Sequence, residues 1–163
     1  SLKGVTYPWV WQTPEGGLQI NYRQHQRQNN RWGRMNFWLA DYDAETGTWK
    51  HRELPWVAGT VPRVFMDRND NAYLIFGATK GPDIPMKMHS LDYNCTIAAA
   101  SAKSNWTDWR VVHVEDGTFF SDVLGDPYRW KQEGVLSVIL QDSPKEIAAP
   151  SALRILDSSV GTD

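Results

Sequence analysis

Two stretches of the chain superimpose at an offset of 54 residues without a gap. Tyr7-Pro8-Trp9-Val10-Trp11 falls on Val61-Pro62-Arg63-Val64-Phe65, and Leu18-Gln19-Ile20-Asn21-Tyr22 falls on Ala72-Tyr73-Leu74-Ile75-Phe76. A third copy is expected to open at Asp126-Pro127-Tyr128-Arg129-Trp130 and to continue, after a shorter turn, into Val135-Leu136-Ser137-Val138-Ile139. The outer halves match as well: Asp41-Tyr42-Asp43 before Thr48-Trp49 resembles Leu91-Asp92-Tyr93 before Asp108-Trp109. A repeat of this period limits the possible folds, because each copy has to be one supersecondary unit that buries its apolar face against the next.

The content of each copy is β. Tyr7–Gln12, Leu18–Arg23, Met35–Asp41, Trp49–Glu53, Arg63–Asp67, Ala72–Phe76, Met86–Leu91, Trp109–Glu115 and Val135–Gln141 are short runs rich in aromatic and β-branched residues. Turn clusters separate them: Thr13-Pro14-Glu15-Gly16-Gly17, Asp43-Ala44-Glu45-Thr46-Gly47, Asn69-Asp70-Asn71 and Gln132-Glu133-Gly134. Such punctuation reads as antiparallel hairpins. Thr96–Lys103 is Ala-rich, short and without an amphipathic face, and is expected to be a loop or a single turn.

Four strands per copy suit a β-propeller blade of the longer kind. The expected fold is therefore all-β, a β-propeller, with about three four-stranded blades at 5–57, 58–116 and 117–160. Three blades do not close a ring, since propellers typically have about four to eight. The chain also opens with Ser1-Leu2-Lys3 rather than Met. The expectation is that it forms the C-terminal part of a larger propeller, with the missing N-terminal propeller segment as its partner. A compact β-sandwich is the alternative.

Composition excludes several classes. A net charge of −2 gives no basic face for nucleic acid. No run of about 18 apolar residues is present to span a membrane as a helix. One Cys, Cys95, rules out a disulfide framework within the chain. It reads either as a buried thiol or as a residue whose partner lies elsewhere. Asn94-Cys95-Thr96 and Asn105-Trp106-Thr107 are both acceptors for N-linked glycosylation, which favours a secreted, extracellular protein.

In a propeller the first strand of each blade lies nearest the axis, and substrates bind at its mouth. Tyr7, Arg63 and Arg129 stand at or near the starts of the expected first strands, and Arg23 ends the second strand of the first unit. Gln24-His25-Gln26-Arg27-Gln28-Asn29-Asn30-Arg31-Trp32-Gly33-Arg34 follows, almost without aliphatic residues and dense in donors, as binding loops are. Trp32 is its candidate for stacking on a sugar. The bland readings are a half-buried strand tyrosine for Tyr7 and a sheet-edge cap for Arg23. His25, His51, His89 and His113 have no metal-ligand spacing. Asp67-Arg68-Asn69-Asp70-Asn71 is rich in oxygen donors but lacks the spacing of a calcium loop, and is read as a turn.

From Val5-Thr6-Tyr7-Pro8, through Tyr22-Arg23 and the polar loop, to Asp41-Tyr42-Asp43-Ala44-Glu45-Thr46-Gly47-Thr48-Trp49, the sequence resembles the BNR-type seven-bladed propeller carbohydrate enzymes. These include ulvan lyases, secreted fungal L-rhamnose-α-1,4-D-glucuronate lyases and propeller L-rhamnosidases. The most specific element is a Thr-Tyr-Pro segment followed sixteen residues later by an Arg, here Tyr7 and Arg23. The resemblance implies a polysaccharide lyase on a seven-bladed ring, with Tyr7 as acid/base and Arg23 binding the uronate carboxylate. It implies Arg63 as a second substrate-binding Arg and an acidic polysaccharide or oligosaccharide as substrate, and the polar loop adds His25 and Trp32 as candidate substrate contacts. The family's upstream histidines have no counterpart before Tyr7. After Tyr22-Arg23 the ulvan-lyase loop, rich in His, Gly and Ser, is replaced by Gln24-His25-Gln26-Arg27, which points to the rhamnose–glucuronate type instead.

The chemistry is consistent with that residue set. β-Elimination removes a weakly acidic proton beside a carboxylate, and a guanidinium offsets the charge that develops there. A tyrosine, with a reference pKa of about 10, is protonated at neutral pH and can donate to the leaving oxygen. No cofactor and no catalytic metal are needed, and a structural metal ion stays open.

Overall fold

The structure, a computed structural model, describes residues 5–12, 18–25, 35–57, 61–79, 93–117, 119–144, 146 and 149–159. Among these the chain is all-β apart from one short helix and a 3₁₀ turn. The first unit is a four-stranded antiparallel meander of β1 (Val5–Gln12), β2 (Leu18–His25), β3 (Met35–Asp43) and β4 (Thr48–Val57). The second is β5 (Arg63–Met66), β6 (Ala72–Thr79), β7 (Tyr93–Ala100) and β8 (Arg110–Val114). The third is β9 (Phe119–Gly125), β10 (Leu136–Asp142) and β11 (Leu153–Ser158), three strands rather than the expected four. Among the described residues a single backbone pair, Tyr93 with Phe119, joins the second unit to the third. No sheet closes on itself among the described residues.

The repeat is exact in the ladder. Gln12 pairs with Leu18 and Val10 with Ile20; 54 residues later Met66 pairs with Ala72 and Val64 with Leu74. Between β3 and β4 the turn is closed by Asp43, whose Oδ1 accepts the backbone N–H groups of Glu45 and Thr46 at 3.0 and 3.1 Å. Gly47 follows at φ +65°, where L side chains are crowded. The turn after β5 uses the same device. Asp67 Oδ1 accepts from the N–H of Asn69 and of Asn71, both at 2.8 Å, and Oδ2 accepts from Asn71 Nδ2 at 2.9 Å. The turn's own amides therefore occupy this carboxylate, in accord with the turn reading.

The three units stack as layers, with the second in the middle. Along β6, Ala72, Leu74 and Phe76 face the first unit, where they pack with Phe37, Leu39 and Leu54. Tyr73 and Ile75 face the third unit, where they pack with Phe119, Val123, Leu136, Val138 and Leu140. Successive strand side chains point to opposite faces, so both rows are buried only because both faces are covered. Each fully buried large apolar side chain contributes about 1.5–3 kcal/mol. The first interface holds an aromatic cluster: Phe37 meets Phe76 edge-on at 4.9 Å, and Trp56 lies 5.5 Å from Phe76 and 6.3 Å from Trp109.

Three expectations are corrected. Tyr128–Trp130 is not the first strand of the third unit; it lies in α1 (Pro127–Glu133), and β9 takes the strand's place. Asp126 Oδ1 accepts the N–H groups of Tyr128 and Arg129, Pro127 opens the helix, and Gly134 closes it at φ +69°. An Asp-Pro opening with a Gly close is helix punctuation. Thr96–Lys103 is not a loop: Thr96–Ala100 ends β7, and only Ala102–Ser104 is a 3₁₀ turn. Small residues suit a strand pressed between two sheets. The match of Asp41-Tyr42-Asp43 to Leu91-Asp92-Tyr93 also fails, since Tyr93 begins its strand while Asp43 ends one. The strand expected at Met86–Leu91 lies outside the described residues.

Candidate functional site

The ladder sets Arg23 opposite Thr6, the residue before Tyr7. Thr6 pairs with Arg23 and Trp9 with Asn21, so Tyr7 and Pro8 stand in a register shift between them. Pro8 has no N–H to give the ladder, and an irregularity on the edge strand β1 accommodates it. Bulges of this kind re-aim a side chain and recur beside active sites. His25 closes β2 opposite Met35, two residues beyond Arg23. The side chains of Tyr7, Arg23 and His25, and the whole of Trp32, lie outside the described residues.

Arg63 opens β5, pairs with Ile75 and is half-buried. By the repeat it occupies the ladder position of Trp9, and Val61 that of Tyr7. Val61 is turned to another use. It is buried, and its N–H donates to Asp122 Oδ1 on β9 at 2.8 Å. Beside it Gly125 lies so close to the Phe65 ring that a Cβ there would overlap it. The first strands of the second and third units therefore touch directly. Arg129, expected beside the axis, is instead held on α1 by Glu133 at 2.9 Å and by Asp157 at 2.6 Å. Those two hydrogen bonds raise its pKa, Glu133 first.

Two arginines, each paired with a carboxylate of its own unit, also reach across to the next. Arg52 Nη2 donates to Asp41 Oδ2 at 2.6 Å, and its Nη1 donates to the carbonyls of Asn105 and Trp106 at 2.9 and 3.2 Å. It ties the first unit to the loop between β7 and β8. Arg154 joins Asp142 at 2.5 Å and Glu115 at 2.9 Å, bridging the third unit to the end of the second. Trp130 Nε1 donates to the Met66 carbonyl at 2.7 Å, and Trp106 Nε1 to that of Asp70 at 2.8 Å. The sequence carries no short-range signal for these partners, whose separations run from 11 to 64 residues.

Three carboxyls sit below the usual range through hydrogen-bond donors, Asp43 through the Thr46 N–H and hydroxyl. The Ser104 hydroxyl and the Ser101 N–H lower Asp108, and the Ser137 hydroxyl and Arg129 lower Asp157. Burial pushes the Cys95 thiol up to about 12, with the Glu115 charge adding to the rise. Cys95 is 1% exposed and faces the interface of the second and third units, as a buried thiol would. Among the described residues no group of three His, Cys, Asp or Glu side chains could hold a metal ion.

No protein-family model matches the chain, and no curated protein matches it either.

Proposed function

We propose that the three layers are blades of a β-propeller, and that the protein is a secreted polysaccharide lyase acting beside a uronic acid. The substrate favoured by the sequence is a rhamnosyl-glucuronate linkage of the gum-arabic kind. The observation that supports the reading is the register of β1 on β2, in which Arg23 pairs with Thr6 and the backbone of Tyr7 follows in an irregularity of an edge strand. The stacking supports the ring. Leu124, Ile139 and Ile155 pair directly across β9, β10 and β11 and are 52%, 42% and 67% exposed. In a propeller the next blade covers such a row.

In the reaction Arg23 pairs with the uronate carboxylate and offsets the charge that builds up as the C5 proton leaves. A base contributed by the remaining blades takes the C5 proton, the freed electron pair forms the C4–C5 double bond, the C4–O bond breaks, and the Tyr7 hydroxyl protonates the departing oxygen. Arg63 and the loop after Arg23, with His25 and Trp32, hold the neighbouring sugars. No cofactor takes part. The remaining blades complete the site.

Incubation of the complete protein with a glucuronate-bearing gum is expected to generate the ultraviolet absorbance of an unsaturated uronate. Tyr7→Phe is expected to lower that rate by about 10²–10⁴-fold. Release of rhamnose without the absorbance would make the protein a propeller glycoside hydrolase. Binding with no product from any acidic glycan would make it a non-catalytic sugar-binding propeller.

A further inference from the structure

The structure separates the two glycosylation acceptors. Asn94 lies inside β7, paired with Ala78, and its Nδ2 donates to the Gly117 carbonyl at 2.9 Å. Gly117, at φ +89°, sits in the turn that carries the chain from β8 to β9, so the Asn94 amide fastens that turn to the sheet. The hydroxyl residue of the same acceptor, Thr96, is 4% exposed and pairs with Val114.

Asn105 is in the opposite situation. It is exposed, at φ 54° and ψ 42°, on the loop between β7 and β8, a left-handed position that Asn tolerates better than most residues. Its backbone is held on both sides while its side chain projects from the loop surface. Its N–H donates to the Ala102 carbonyl at 2.8 Å, and its carbonyl accepts from Arg52 at 2.9 Å. The neighbouring Trp106 is buried and anchored to the Asp70 carbonyl, and Thr107 is exposed.

From this geometry we infer that Asn105 is the N-glycosylated residue of the folded protein and that Asn94 is structural. The Asn105 Nδ2 attacks C1 of a lipid-linked oligosaccharide diphosphate in the secretory pathway. A new C–N bond forms, the amide gives up one proton, and the lipid diphosphate leaves. The glycan then stands at the joint between the first and second units, beside Arg52 of β4. This inference shares only the expectation of secretion with the lyase reading; it does not depend on the reaction catalysed.

The test is the full chain secreted from a eukaryotic host and treated with an amide-cleaving glycosidase, which converts a glycosylated Asn to Asp. Peptide mass spectrometry is expected to find that conversion at Asn105 and not at Asn94. Asn105→Gly, which keeps the left-handed backbone, and Thr107→Ala are each expected to remove the glycan from secreted protein. Asn94→Gln is expected to leave the glycan in place. Conversion at Asn94, or a secreted protein with no glycan, would overturn the assignment, whatever the outcome of the lyase assay.

Discussion

Cys95 shows how far a single side chain is governed by its layer. Its thiol lies between two sheets among Tyr93, Ile97 and Phe119 and has no disulfide partner within the chain. Ionising it there means placing a thiolate in apolar surroundings near Glu115, which is why its pKa rises to about 12. The linkage has a definite sign. The native state disfavours the thiolate, so this contribution to stability is complete below the ordinary thiol pKa and is lost as pH rises toward about 12. An aromatic disulfide reagent at mildly alkaline pH is expected to leave native Cys95 unlabelled and to label it stoichiometrically in denaturant. Rapid labelling of native protein would mean that the second and third sheets do not pack as described.

At the scale of elements, α1 stands where the repeat would have put a strand. Its Asp126 cap satisfies two of the N–H groups that a helix start leaves unpaired. Asp126→Ala is expected to cost about 1 kcal/mol of stability in a urea titration. A loss near zero would show that the helix is held by Trp130 alone, through its bond to the Met66 carbonyl and its packing on Phe65 and Tyr73. The same element shows what the sequence made legible. Strands with alternating or β-branched residues, such as β2, β3 and β10, could be read directly, and the 54-residue offset holds in the pairing register of β1–β2 and β5–β6. Pro127 was misleading because a proline fits both an edge-strand irregularity and the first turn of a helix. Only the Asp before it and the Gly after it tell the two apart. The end of β7 was hidden for another reason. Ala98, Ala99 and Ala100 have little strand preference of their own, and the two covering sheets impose the conformation. Of the candidate site, only the placing of Tyr7 and Arg23 on paired strands of one hairpin was legible. The use of Val61 and Asp122 to dock neighbouring layers was not, because their 61-residue separation leaves no local pattern.

For the molecule as a whole, the decisive surface is the outer face of the third unit. Its Leu124–Ile139–Ile155 row repeats the character of two interfaces already buried in the stack. If a further blade covers it, Ile139→Asp in the complete protein behaves as a core substitution and costs more than about 2 kcal/mol in chemical denaturation. A cost within about 0.5 kcal/mol would place Ile139 in solvent, and the ring reading would fail. The junction at Tyr93 and Phe119 has a consequence of a different kind. Because, among the described residues, one backbone pair carries the handover between the second and third units, their cohesion there comes mainly from side chains meeting face to face. A duplicated unit can then enter the series without severing an existing strand ladder, needing only an apolar row on each side. Growth by tandem copying is therefore cheap for this architecture, and the preserved 54-residue register between the first two units is the trace such copying would leave.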